Sequence, residues 1–357
     1  MNKKILLRII LAFLFVSPVS GQKESLSVDN NVNNDQDKYF GLFESDELLE
    51  ITLRFDLSTY TREKPKEDYL KANITFHLSN TDSVSQDIRL RSRGEFRNQY
   101  CTYPPITLNF KKADFGYKDL NRISQIKLVP ECSPGGENSN YILREYLVYK
   151  MFNLLTDTTF RVRLLTVNYI DTERKRKTIT QYGFFIEPLE MVTKRTNTIE
   201  VKSLSLTQRN IVARLIDRLA IFNYMIGNYD WGVPGQHNVK IIKPLVLEPA
   251  GLAIAIPYDF DWTGLVNPSY AFPGDNVGIE NIRERMFVGI CRTREVFEKN
   301  LDAFAENKEA FYRVINEFPY LDKREKRDMT IYLDGFFSQM NNKSRLIDIL
   351  LNSCKKL

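Results

Sequence analysis

The chain has 357 residues, of which 43% are apolar, 12% aromatic and 27% charged; that composition builds a packed core and excludes global disorder. Four cysteines with no CxxC pair, and two histidines, leave no metal-ligand spacing of the zinc-finger kind. Fifty basic against 45 acidic residues give a net charge of +5.

Part of that charge lies in a segment with the pattern of a secretory signal. Asn2-Lys3-Lys4 is a short basic start, Ile5 to Val16 is apolar apart from Arg8, and Val19-Ser20-Gly21 offers small residues for cleavage. The apolar run is far short of the ~20 residues that span a bilayer. Cleavage would remove three basic residues and no acidic one, leaving +2, which is no footprint for nucleic acid. The expected product is exported to the periplasm or the extracellular space, without stable membrane insertion. There Cys101, Cys132, Cys291 and Cys354 can form two disulfides, and Cys101 with Cys132 is the expected pair because both lie in one β-rich half.

Residues 22–45 are polar and Asn/Asp-rich and read as a flexible linker. Apolar residues then alternate in Leu49–Phe55, Ile88–Arg91, Ile106–Phe110 and Ile126–Val129, the pattern of strands in a mostly antiparallel sheet. Helical spacing from Tyr141 to Leu155 predicts one helix among them. Strands resume at Arg161–Ile170 and Tyr182–Ile186, with the basic run Arg174–Lys177 as a solvated hairpin tip. A connector near 187–200 leads to a long helix over Thr207–Ile226. Strands at Val239–Ile242 and Ala253–Tyr258 follow, then a helical tail from Glu295 to Leu351. This order predicts a two-lobed α+β fold: a β-rich N-terminal lobe with one helix over residues 46–190, and a mainly helical C-terminal lobe over 191–357.

The residues that could carry chemistry cluster around the last two strands. A loop bearing Asp230 and His237-Asn238 enters the first of them, and the second ends in Asp259-Phe260-Asp261-Trp262. A hairpin would bring these acids to one end. Phosphoryl transfer needs one carboxylate to orient or deprotonate the acceptor, with an Asn amide oxygen and a second carboxylate holding Mg²⁺ on the phosphates. Asp230 takes the first role and Asn238 and Asp259 the second. Asp261 is the substitute ligand in a shifted register, and His237 would orient Asp230 or Asn238. Lys127, inside an apolar strand, would hold phosphates, steadied by Glu145 on the following helix. Arg93, in the basic turn Arg91-Ser92-Arg93-Gly94, could cover them.

The turn Arg91–Asn98, the loop Asp230–Asn238 and the strand end Pro257–Trp262, in this order, resemble the spore coat protein H (CotH) kinase-like family, an atypical protein-kinase-like fold. The resemblance covers roughly residues 85–300. It makes the two-lobed fold protein-kinase-like and implies ATP-dependent phosphorylation with Mg²⁺ (or Mn²⁺) of a protein or small-molecule hydroxyl acceptor. Asp259-Phe260 would stand where a kinase has its metal-binding Asp-Phe. The chain departs from the family pattern in three places. Trp231 follows Asp230 where an arginine is usual, and Asn238 comes eight residues after Asp230. The lysine expected near Pro105–Asn109 is also missing, leaving Lys127 or Lys111 as substitutes. Two other classes fit the same residues. One is a non-catalytic exported binding or surface-assembly protein. The other is a secreted glycoside hydrolase using Asp230 with Asp259 or Asp261, and Trp231 and Trp262 as stacking platforms.

Overall fold

The computed structural model describes residues 38–79, 81–133, 136–245, 252–274 and 278–356, apart from the side chains of 136–138. The expected signal over 1–21 and most of the expected linker lie outside these residues. Within the linker's last part, Leu42 and Phe43 are already buried.

Alternation along β1 (Leu49–Phe55) turns Leu49, Ile51, Leu53 and Phe55 inward and leaves Glu50 and Arg54 in solvent. Asp56 caps α1 (Leu57–Glu63) by accepting from the backbone N–H of Thr59 at 2.8 Å. β2 (Leu70–His77), β3 (Ser83–Ser92), α2 (Phe96–Tyr100), β4 (Ile106–Asn109) and β5 (Gln125–Pro130) follow. Then come α3 (Gly136–Asn153), β6 (Val162–Asp171) and β7 (Ile179–Ile186). The strands run β1-β2-β3-β4-β5-β7-β6, and β1 pairs in parallel with β6, Leu49 opposite Leu165 through Phe55 opposite Asp171.

That pairing closes a seven-stranded β-barrel, which overturns the expected two-lobed protein-kinase-like fold. Six of the barrel's strands fall at or around the stretches where alternation put them, and β2 (Leu70–His77) is added to them. What alternation cannot specify is the partner of β1's second edge, and closure with β6 leaves the barrel no open edge. Ile51, Leu53, Ile74, Phe76, Leu90, Leu108, Leu128, Val167 and Phe185 fill the interior, so it is a core rather than a channel.

α3 packs outside the barrel, where Tyr146 and Tyr149 meet the Phe184 ring and, with Leu143, Leu147 and Met151, join a second core shared with the helices that follow. After α4 (Leu189–Arg195), β8 (Thr198–Glu200), β9 (Val239–Pro244) and β10 (Ile254–Pro257) form a three-stranded sheet in the order β10-β9-β8. The helix expected from Thr207 starts later, as α5 (Ala213–Ile226), because Ile211 bridges Ala253 beside β10 and holds the chain extended. α5 stops at Gly227, whose φ of +68° is the left-handed cap that turns the chain into the 228–238 loop.

The tail forms α6 (Arg294–Glu306), α7 (Lys308–Asn316), α8 (Lys323–Met340) and α9 (Lys343–Ser353). The guanidinium of Arg144 on α3 donates to Asp328 of α8 at 2.8 Å and also to Glu325, tying that tail to the barrel's outer helix. Cysteines pair as Cys101–Cys132, the expected couple, and Cys291–Cys354. Among the described residues no helix is long and apolar enough to cross a membrane.

Candidate active site

The β9–β10 hairpin does what the sequence asked of it. Pro257 lies opposite Val239, and the Tyr258 N–H donates to the Asn238 carbonyl at 3.0 Å, so the 238 and 259 ends are side by side. The eight-residue path from Asp230 to Asn238 is folded back by a bridge between Gly232 and His237. The two side chains consequently touch: Asn238 Nδ2 donates to Asp230 Oδ2 at 2.9 Å and to its carbonyl at 2.8 Å. His237 Nε2 lies 2.6 Å from Asp230 Oδ1. Both Asp230 oxygens are therefore oriented by neighbours, while the carboxylate stays partly open to solvent.

Asn238 and Asp259 both have left-handed backbone, with φ of +50° and +64°. Such conformations cost energy outside glycine and concentrate at functional sites. The Asp259 N–H donates to the Tyr149 hydroxyl of α3 at 2.8 Å, and Phe260 is buried edge-on against the Tyr149 ring at 4.8 Å. Phe260 thus anchors the turn from which Asp259 and Asp261 project. Asp261 is buried and accepts from the Tyr270 hydroxyl at 3.1 Å. Burial, with the Asp259 carboxylate close by, raises its carboxyl to about 7.

Asp230, His237, Asn238, Asp259, Asp261 and Arg93 line one cleft of about 530 Å³, with Arg97 and Trp262 in its walls. Arg93 also lines an adjoining cleft of about 550 Å³, where it meets Lys127, Tyr258, Phe160, Ile186 and Leu189. Lys127 Nζ lies over the Tyr258 ring, 5.0 Å from its centroid. Burial, then the nearby Arg93 cation, pulls its ammonium down to about 8, against the opposing pull of Asp259.

Glu145 does not meet Lys127. It is buried, and its nearest cation is Arg97 of α2, with Nη1 3.7 Å from Oε2. In the sequence Arg97 falls within the turn Arg91–Asn98 and carries no role of its own. β3 ends at Ser92, and a helical turn carries Arg97 inward, where its Nη2 donates to the Pro130 carbonyl at 2.6 Å. Its Nε and Nη1, and both Glu145 oxygens, are buried without a hydrogen-bond partner among the described residues. Burial, with Asp261 and Asp259 nearby, pushes the Glu145 carboxyl well above the usual range. The signal that could have found Arg97 is Cys101, one helical turn further on.

For a metal, no group of three or more His, Cys, Asp or Glu side chains has ligand spacing among the described residues. A site built on the Asp259 carboxylate, which accepts no hydrogen bond from the described residues, and on Asn238, whose Nδ2 is spent on Asp230, fits the chemistry of Mg²⁺. That ion takes one or two carboxylates and completes its shell with water and substrate phosphate. Compared with known proteins, the chain matches no family model and no curated protein sequence.

Proposed function

We propose that this chain is an exported phosphotransferase that moves the terminal phosphoryl group of a metal-bound nucleotide, ATP, to a hydroxyl acceptor. The observation that carries the reading is the juxtaposition of cations and carboxylates across two joined clefts. Arg93 and Arg97 line the cleft that holds Asp230, Asp259 and Asp261, and Lys127 lines the neighbouring one. Among the described residues none of these three cations has a carboxylate in hydrogen-bond contact. A polyphosphate carrying a divalent cation matches both kinds of group at once. The motif order shared with the CotH kinase-like family supports the same chemistry, and chemistry of this kind is not tied to one fold. The two disulfides support export to an oxidising compartment.

In this reading the apolar wall of Phe160, Ile186 and Leu189 takes the base, while Arg93, Arg97 and Lys127 offset phosphate charge. Asp259 and the amide oxygen of Asn238 would hold Mg²⁺ or Mn²⁺, which would neutralise charge on the transferred group; Asp261 is the reserve carboxylate. Asp230, held by His237 and Asn238, accepts the acceptor's hydroxyl proton as the new O–P bond forms and the bond to the leaving diphosphate breaks. Calorimetric titration of residues 22–357 with ATP, with and without Mg²⁺, tests it. Metal-dependent binding that Asp259→Ala abolishes is expected. Absence of binding at millimolar nucleotide would sink the mechanism and leave an exported binding protein.

A further inference from the structure

We propose that the Cys101–Cys132 disulfide is a positioning element of the nucleotide site, holding Arg97 in the cleft; this rests on the phosphotransferase reading. Arg97 lies on α2, a five-residue helical turn without a side-chain N-cap, far too short to hold its own shape. Two ties fix it to the end of β5. The Arg97 guanidinium donates to the Pro130 carbonyl at 2.6 Å, and Cys101, whose N–H donates to the Arg97 carbonyl at 3.0 Å, is bonded to Cys132. Both sulfurs are buried under Tyr270, the residue that donates to Asp261, with Phe96 and Trp262 around them. The disulfide therefore lies behind the cleft wall, between the arginine turn and the strand end it binds. Cutting it leaves the Arg97 side chain with its hydrogen bond to Pro130. The turn itself keeps the bonds that the Tyr103 N–H donates to the Cys132 carbonyl at 3.0 Å and Asn98 Nδ2 donates to Ser92 Oγ at 2.6 Å, without a covalent tie behind the arginine. The second disulfide, Cys291–Cys354, joins the segment before α6 to the end of α9 and lies in neither cleft.

The two bonds can be set against each other. In C101A/C132A the Kd for Mg·ATP is expected to weaken at least tenfold while the protein stays folded; in C291A/C354A it should remain within twofold. Equal weakening in both variants, or unchanged affinity in C101A/C132A, overturns the proposal. Should C101A/C132A not fold, C101V/C132A, closer to cystine in volume, takes its place. A second readout needs no nucleotide: modification by phenylglyoxal, mapped by peptide mass. Arg97 should be protected in the native protein and in C291A/C354A, and modified when the Cys101–Cys132 bond is removed. If the native protein fails to bind Mg·ATP, the phosphotransferase reading falls and the labelling decides the clamp alone. Protection of Arg97 in all three proteins then overturns it.

Discussion

Replacing Lys127 by Met should make the unliganded protein more stable at pH 7 while weakening its hold on nucleotide. The ammonium is pulled from 10.5 to about 8, and each unit of pKa is about 1.4 kcal/mol, so the charge costs the fold at most about 3.5 kcal/mol. Lys127 keeps part of its surface in solvent, and the substitution also forfeits its contact with the Tyr258 ring, worth about 0.5–1 kcal/mol. A net gain of about 1–2 kcal/mol remains. The sign has a pH signature. Between about 8 and 10.5 the unfolded chain keeps the lysine proton that the folded chain has lost, so wild-type stability rises with pH and the gap to K127M closes. Urea unfolding of both proteins at pH 7 and pH 10 measures it. A K127M protein that is less stable than wild type at pH 7, by the same amount at pH 10, would show that Lys127 is a satisfied side chain and refute the argument.

Two further substitutions separate charge from packing. Glu145→Gln keeps the shape of a carboxyl that burial already pushes toward its neutral form. Wild-type stability should fall as pH rises above the ordinary glutamate range, because the unfolded chain loses a proton the folded one retains. E145Q should lose that decline in urea titrations. Phe260→Ala removes a fully buried ring set against Tyr149 and Phe222 and should cost about 3–5 kcal/mol in thermal or urea unfolding.

The parts of the site were legible wherever the chemistry lay in a short stretch. Asp230, His237, Asn238, Asp259 and Asp261 were identifiable because strand alternation predicts a hairpin, and a hairpin fixes which ends meet. The closed barrel was not legible, since β1 alternates in the same way whether its free edge meets water or β6. The same limit hid the partner of Glu145. Lys127 and Glu145 sit at a spacing that suggests a strand–helix pair. Yet the side chain that reaches Glu145 comes from a turn between β3 and β4, far upstream. The Cys101–Cys132 pair was predicted from the half of the chain in which both residues fall. Its place behind the arginine turn depended on a helical turn too short to carry a periodic signal.

The electrostatics of the two clefts also bear on what kind of ligand they can hold. The ammonium of Lys127 is lowered by burial and by Arg93, and the carboxyl of Asp261 is raised by burial and by Asp259. Both clefts mix signs: Arg93 and Arg97 stand with Asp230, Asp259 and Asp261 in one, and Lys127 and Lys240 with Glu187, Glu190 and Glu200 in the other. A ligand bearing both signs, as a polyphosphate with its metal ion does, would offset the cost at the lowered ammonium and at the raised carboxyl together, which is why the phosphotransferase proposal names one. The left-handed backbone at Asn238 and Asp259 adds a conformational cost in the cleft that both residues line. Left-handed backbone also occurs at Lys64, Asn197, Gln236 and Asn267, so it is the coincidence of this backbone at Asn238 and Asp259 with the carboxylates of the cleft, not strain by itself, that bears on the proposed phosphotransferase.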